Sequence, residues 1–100
     1  IGSIFKNVPL DNIPDDRQSE FLHVVKTDPF LVIPTAYLIS EAGLKGVREG
    51  GAMISPKHPN FIVNTGGARA RDVKILISRI KETVKNKFGI DLEEEVQMVP

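Results

Sequence analysis

The feature that most constrains this chain is residues 69–88, where apolar side chains recur at helical spacing. The apolar positions are Val73, Leu76, Ile77, Ile80, Val84 and Phe88. Intervals of three and four residues place them on one face of an α-helix. Gly89 follows directly and suits the left-handed position just past a helix end. We therefore expect a core between this helix and a sheet, with Leu76, Ile77, Ile80 and Val84 buried and with Arg79, Lys81 and Lys85 exposed.

Shorter elements precede and follow the long helix. Residues 3–6 alternate in polarity, which predicts a strand that ends at Val8-Pro9. Pro14 begins a possible helix that runs to about residue 25 and ends at the sequence KTDP. A clearer helix begins near Pro34, and Gly43 suits its end. The remaining predicted elements are strands at 50–55, 60–64 and 93–99.

The order of these elements favours the α+β class. Strands and helices do not alternate strictly along the chain, so we expect a small mixed sheet packed by helices. The chain has 100 residues, which suits a single domain.

Composition excludes several classes of function. The formal net charge is zero, which argues against a domain that binds nucleic acid or an anionic membrane over its whole surface. There is no cysteine, so disulfides and thiolate metal sites are excluded. No apolar run approaches the roughly 20 residues of a membrane span. We expect a soluble, cytoplasmic domain.

Two motifs suggest nucleic-acid binding, and each has a plainer interpretation. Gly43–Gly46 reads GLKG, which matches the backbone-clamping loop of KH domains. That loop requires a following helix, which the sequence does not predict, so a helix cap is favoured. Basic residues line helix 69–88, and a stand-alone module that binds RNA or another ligand through them is the rival function. An acidic residue, Glu82, interrupts the stripe, so a solvated face is favoured.

Polar residues also cluster at two strand ends. Lys57, His58 and Asn60 lie before the strand at 60–64, where they could orient a ligand. No second histidine stands at metal-ligand spacing, so no zinc site is expected. In the run Glu93–Glu95 one carboxylate could face inward, where desolvation would raise its pKa, but spacing alone favours three solvated side chains.

Read together, three blocks resemble one family. GSIFKN at the start, the long block from Ile33 to Asn64, and the block from Asp72 to Gln97 are similar to segments of UDP-N-acetylenolpyruvoylglucosamine reductase, the MurB-type flavoenzyme of peptidoglycan synthesis. The long block contains a leucine-isoleucine helix ending in AGLKG, then GGA, then SPKHPNFIVN. The resemblance covers nearly everything except residues 10–30. It implies the C-terminal substrate-binding domain, with the FAD-binding part outside this chain, so the isolated chain is expected to be inactive.

The resemblance implies a reaction and two catalytic residues. NADPH reduces FAD, and the flavin passes hydride to C3 of UDP-N-acetylglucosamine enolpyruvate, giving UDP-N-acetylmuramate. Ser3 matches the residue that protonates C2, and Glu95 matches the residue that stabilises the enolate. Asn7 matches a substrate-binding position near the diphosphate. Tyr37, Lys57, His58 and Asn60 fall in segments that border the substrate.

The chain departs from the family pattern in three places. Val8 separates the lysine-asparagine pair from Pro9, residues 10–30 resemble an insertion, and Gln97 stands where arginine is common. The insertion leaves open how the uridine end of the substrate is covered. The chain also begins in the middle of an expected strand, which favours a piece of a longer enzyme over a stand-alone module.

Overall fold

The computed structural model describes residues 3–27 and 29–95. Two three-stranded antiparallel sheets and two α-helices form the core of the described part. The first sheet contains β1 (Val8–Pro9), β2 (Lys26–Thr27) and β3 (Leu31–Ile33) in the order β1-β3-β2. The second contains β4 (Arg48–Glu49), β5 (Ala52–Ile54) and β6 (Ile62–Asn64) in the order β4-β5-β6. The α+β class is confirmed, with two antiparallel sheets in place of one mixed sheet.

Helix α2 (Ala70–Phe88) forms as its periodicity predicts. Leu76, Ile80 and Val84 are fully buried, and Ile77 is partly buried against them. Gly89 ends the helix with a φ of 72°, in the left-handed region. On the outer face Arg79 and Lys85 are exposed, whereas Lys81 is half-buried.

Helix α1 (Thr35–Glu41) also lies where the sequence predicts it, with Pro34 as its N-cap. Gly43 takes a φ of 77° just after the helix. The strand β4 follows the GLKG turn, so the helix that a KH-type loop requires is not there.

The stretch before α1 differs from the prediction. Residues 10–24 form two 3-10 helices, Leu10–Asn12 and Asp15–Val24, where one helix is expected after Pro14. Val8 and Pro9 do not end a strand; they form β1, in which Val8 pairs with Ile33. Proline is tolerated there because β1 is an edge strand of its sheet.

The predicted first strand is reduced to a single bridge with the end of the chain. Phe5 pairs with Glu94 in antiparallel orientation, outside both sheets. The last predicted strand, 93–99, is described only as far as residue 95; Gln97 lies outside the described residues. Among the described helices, none is both long and apolar enough to cross a membrane.

Candidate functional site

The side chains of Ser3 and Glu95 meet although they are 92 residues apart in sequence. The Ser3 hydroxyl donates a hydrogen bond to Oε1 of Glu95 at 3.0 Å. Two backbone hydrogen bonds on either side of the Phe5–Glu94 bridge bring them together. The Glu95 N–H donates to the Ile4 carbonyl at 2.8 Å, and the Lys6 N–H donates to the Glu93 carbonyl at 2.9 Å.

A cleft of about 430 Å³ opens beside this pair. Its described lining consists of Ser3, Phe5, Lys6, Asn7, Pro9, Pro29, Phe30, Val32 and Glu95. The volume falls within the range of small-molecule sites. Ser3 is half-buried and Glu95 is exposed, so the hydroxyl and the carboxylate both remain accessible from the cleft. The arrangement can supply a proton and a hydrogen bond to a ligand.

Residues 93–95 form the closing segment, and its two carboxylates other than Glu95 are in ion pairs. Glu93 pairs with Lys6 at 3.0 Å, and Glu94 pairs with Lys81 of α2 at 2.9 Å. Glu95 alone of these three takes a hydroxyl partner. The Glu95 side chain is exposed among the described residues.

Asn7 also lines the cleft. Its Oδ1 accepts the Thr35 N–H at 3.1 Å, at the start of α1, and the Thr35 hydroxyl donates to the Lys6 carbonyl at 2.6 Å. In the described residues no buried side-chain nitrogen or oxygen lacks a partner. The Nδ2 of Asn7 makes no hydrogen bond to a described residue, and Asn7 lines the cleft, so this atom can donate to a ligand there.

Asn60 is held behind the cleft and does not line it. Its Oδ1 accepts the Phe5 N–H at 3.0 Å, and its Nδ2 donates to the Phe5 carbonyl at 2.9 Å. The side chain is buried. The resemblance places Asn60 in a segment that borders the substrate, and in the structure its Oδ1 and Nδ2 each bond the Phe5 backbone.

The three other expected substrate residues also lie outside the described cleft lining. Lys57 and His58 are exposed in the turn between β5 and β6, where the His58 N–H donates to the Ser55 hydroxyl at 3.0 Å. Tyr37 contacts His23, with 3.3 Å between its hydroxyl and Nε2. Burial, with a smaller contribution from the charge of Glu41, raises the pKa of Tyr37.

Phe30 is a cleft residue that the sequence does not reveal. It is 72% exposed and stands in the cleft wall with Pro29 and Val32. The turn between β2 and β3 brings it there, and strands of two and three residues carry no readable periodicity. The sequence signal at this position is a phenylalanine directly after a turn-forming proline.

The described residues contain no cluster that could hold a metal ion. They also reduce the positive charge on the outer face of α2. Among residues 3–27 and 29–95, no three His, Cys, Asp or Glu side chains group as metal ligands would. Lys81 and Lys85, on the basic helix, pair with Glu94 and Asp91 at 2.9 and 3.0 Å. Part of the basic stripe is therefore neutralised within the domain.

Comparison with known proteins identifies one family. The model of the UDP-N-acetylenolpyruvoylglucosamine reductase C-terminal domain matches residues 1–99. The reductase of Chloroherpeton thalassium is 48% identical over 99 residues, which are 99% of this chain and 27% of that protein. Reductase 1 of Bacillus thuringiensis subsp. konkukian is 53% identical over an alignment of 70 residues, and this alignment covers 66% of this chain and 23% of that protein.

A solved structure agrees with these matches. The crystal structure of the Thermus caldophilus reductase superposes with a TM-score of 0.56 at 39% identity, covering 95% of this chain and 26% of that one. The chain therefore spans about a quarter of the length of the relatives it matches. The Chloroherpeton match runs through residues 10–30, so that stretch is not peculiar to this chain. The chain belongs to the family of UDP-N-acetylenolpyruvoylglucosamine reductase C-terminal domains.

Proposed function

We propose that this chain is the substrate-binding domain of a cytoplasmic reductase that uses FAD and NADPH. The reaction converts UDP-N-acetylglucosamine enolpyruvate to UDP-N-acetylmuramate for peptidoglycan synthesis. The observation that carries the proposal is the 3.0 Å contact between Ser3 and Glu95 at an open cleft. A proton donor and a carboxyl group are the two parts that the reduction of an enolpyruvyl ether requires from the protein.

The residues of this chain fit one side of such a site. The cleft supplies a hydroxyl, a carboxyl and an amide donor on an accessible surface, which a flavin held by the rest of the protein could face. A bound reduced flavin would supply the hydride that adds to C3 of the substrate. The electron pair of the substrate double bond then moves toward C2 and its carboxylate.

Ser3 and Glu95 can complete the reaction with balanced protons. The Ser3 hydroxyl gives its proton to C2, where the second new C–H bond forms. The resulting alkoxide is neutralised through the 3.0 Å hydrogen bond if Glu95 is protonated at that point. The Glu95 carboxyl can also hydrogen-bond the developing enolate, which is electrostatic stabilisation of charge in the transition state. Both roles use the neutral form of the carboxyl group.

Asn7 is the third residue that we assign to substrate binding. Its Oδ1 is fixed by the Thr35 N–H, which leaves Nδ2 to donate to an anionic oxygen such as one of the diphosphate. This carbonyl contact also orients the amide, because the Thr35 N–H can only face the oxygen. Asn7 can therefore bind phosphate without first being ordered.

The rival function, nucleic-acid binding through α2, has less support. Lys81 and Lys85 are paired with carboxylates, and the domain carries no net charge. Affinity for nucleic acid depends on releasing counterions from phosphates with unpaired cations. We therefore do not assign a nucleic-acid partner.

The proposal is tested on the full-length protein. It should purify with bound flavin and oxidise NADPH rapidly only when UDP-N-acetylglucosamine enolpyruvate is added. UDP-N-acetylglucosamine, which lacks the enolpyruvyl group, is the matched control compound. The isolated 100-residue chain should retain no flavin after desalting. A full-length flavoprotein whose NADPH oxidation does not respond to the enolpyruvyl substrate would contradict the proposal.

A further inference from the structure

We propose that Asn60 is a positioning residue that sets the Ser3 hydroxyl against Glu95; this rests on the proposed function. Asn60 makes three hydrogen bonds to two consecutive residues, Ile4 and Phe5, which directly follow Ser3. Its carboxamide bonds both the N–H and the carbonyl of Phe5, at 3.0 and 2.9 Å. Its own carbonyl accepts the Ile4 N–H at 2.8 Å.

These bonds replace a missing strand. On one side, residues 4 and 6 bond the closing segment through the Ile4 carbonyl and the Lys6 N–H. Because backbone groups alternate along an extended chain, the N–H and the carbonyl of Phe5 face the other way. No described strand lies on that side of Phe5, since the residue belongs to an isolated bridge. The carboxamide of Asn60 supplies the donor and the acceptor that a strand would have supplied.

Burial makes the Asn60 contacts decisive for this segment. Phe5 is 1% exposed and Asn60 is 7% exposed. Water therefore does not replace the Asn60 contacts readily, and an unpaired buried N–H or carbonyl is strongly disfavoured. Without the carboxamide, the segment must shift to find other partners, and Ser3 moves with it.

The loop that carries Asn60 is itself closed by hydrogen bonds. The Ser55 N–H donates to the Phe61 carbonyl at 2.9 Å, and the Phe61 N–H donates to the His58 carbonyl at 2.9 Å. The Ser55 hydroxyl accepts the His58 N–H. The polar run before β6 is thus a rigid support for Asn60. This gives the SPKHPNF segment a role in the site without any contact to the cleft.

The experiment uses the full-length enzyme with Asn60→Ala and Asn60→Asp. The aspartate keeps an acceptor for the Phe5 N–H but, when ionised, opposes the Phe5 carbonyl. Reduction of the flavin by NADPH should change by less than about 2-fold, whereas its reoxidation by substrate should slow by about 10–10²-fold, as expected for reacting groups displaced by about 1 Å. Asn64→Ala is the matched control, because Asn64 also bonds backbone, at Gly66 and Ala68. It should leave both half-reactions unchanged.

A double-mutant cycle separates positioning from general damage. In a Ser3→Ala background, Asn60→Asp should slow reoxidation by less than about 3-fold further, because the hydroxyl it positions is gone. Additive losses, equal slowing of both half-reactions, or reoxidation of Asn60→Asp at the parent rate would each overturn the proposal.

A crystal structure of the full-length Asn60→Asp variant gives a readout that does not depend on activity. The Ser3 Oγ to Glu95 Oε1 distance should exceed about 3.5 Å, beyond hydrogen-bonding range. An unchanged distance overturns the inference even if Asn60→Ala fails to fold. If Ser3→Ala alone reoxidises with substrate at the parent rate, the proposed function fails instead, and the distance still decides whether Asn60 positions Ser3.

Discussion

Substitution of Ser3 by alanine should separate the chemistry of the site from the stability of the fold. Among residues 3–27 and 29–95, the hydroxyl makes one hydrogen bond, to Glu95, and that bond is exposed to solvent. A hydrogen bond typically contributes about 0.5–1.5 kcal/mol to the free energy of unfolding, and exposure puts this one at the low end. The Ser3→Ala enzyme should therefore fold normally and bind substrate.

The same change should have a large kinetic effect on one half-reaction. Loss of a general acid typically costs about 10²–10⁴-fold in rate. At about 1.36 kcal/mol for each tenfold change, this raises the barrier by about 3–5 kcal/mol, several times the expected loss of stability. In the proposed mechanism Ser3 takes no part in flavin reduction by NADPH, so the rate of that half-reaction should not change. Stopped-flow absorbance of the flavin resolves the two half-reactions.

Variants of Glu95 should slow flavin reoxidation to different degrees, depending on which hydrogen bonds the new side chain keeps. Glu95→Gln keeps a donor for the enolate and an acceptor for Ser3, so its reoxidation should be faster than that of Glu95→Ala. Removal of a hydrogen-bond donor to an oxyanion typically lowers the rate by about 10²–10³-fold. Glu82→Gln is the control, because Glu82 is an exposed carboxylate of α2 that does not line the cleft. Reoxidation of Ser3→Ala at the parent rate would refute the assignment of the acid.

Three further predictions concern the fold and the rival function. In urea titrations of the 100-residue chain, Ile80→Ala should lower the free energy of unfolding by about 2–5 kcal/mol, and Lys85→Ala by less than about 0.5 kcal/mol; equal losses would contradict the buried face of α2. Gly51→Ala should lower the free energy of unfolding by about 1–3 kcal/mol, because a Cβ at this position would clash with the Gly66 carbonyl oxygen; an unchanged free energy would mean that the loop shifts to accommodate the methyl group. Duplex DNA or RNA should bind this chain with a Kd of about 10⁻⁴ M or weaker at physiological salt, and a micromolar, salt-sensitive Kd in a filter-binding assay would favour the rival.

Strong local patterns made part of the fold predictable. Helix α2 carries five turns of apolar periodicity and a glycine stop, and it forms at the expected residues. Helix α1 and its Gly43 end follow from the same two signals. Both helices are determined by residues close in sequence, which is why one sequence suffices to place them.

The sequence does not reveal β1 to β4, which have two or three residues each; β5 and β6 are also three residues long, but they flank the turn-forming segment PKHP, which marks them. Alternation cannot be seen over so short a run. Val8-Pro9 illustrates the difficulty: proline usually ends a strand, and only the position of β1 at the edge of its sheet makes it acceptable. That position is a property of the whole fold and is not encoded near residue 9.

In the site, too, some features can be predicted from the sequence and others depend on the whole fold. Ser3 and Glu95 came from the family resemblance, since spacing alone favoured a solvated Glu95. Their 3.0 Å contact depends on pairing between the two ends of the chain, which no local pattern encodes. Asn60 was recognised as unusual, but a sequence does not tell which way a carboxamide points. The structure turns it toward the Phe5 backbone.

The pairing between the chain ends also explains why the site can be both exposed and well placed. The segment that carries Ser3 makes a single bridge to the segment that carries Glu95. One bridge by itself is a weak anchor. Two interactions away from the cleft strengthen it: the Asn60 carboxamide on one side and the Lys81–Glu94 ion pair on the other. The Ser3 hydroxyl and the Glu95 carboxyl therefore do not have to hold this segment in place. A cleft built in this way can be covered by a flavin and a substrate without losing the contacts that hold it in place.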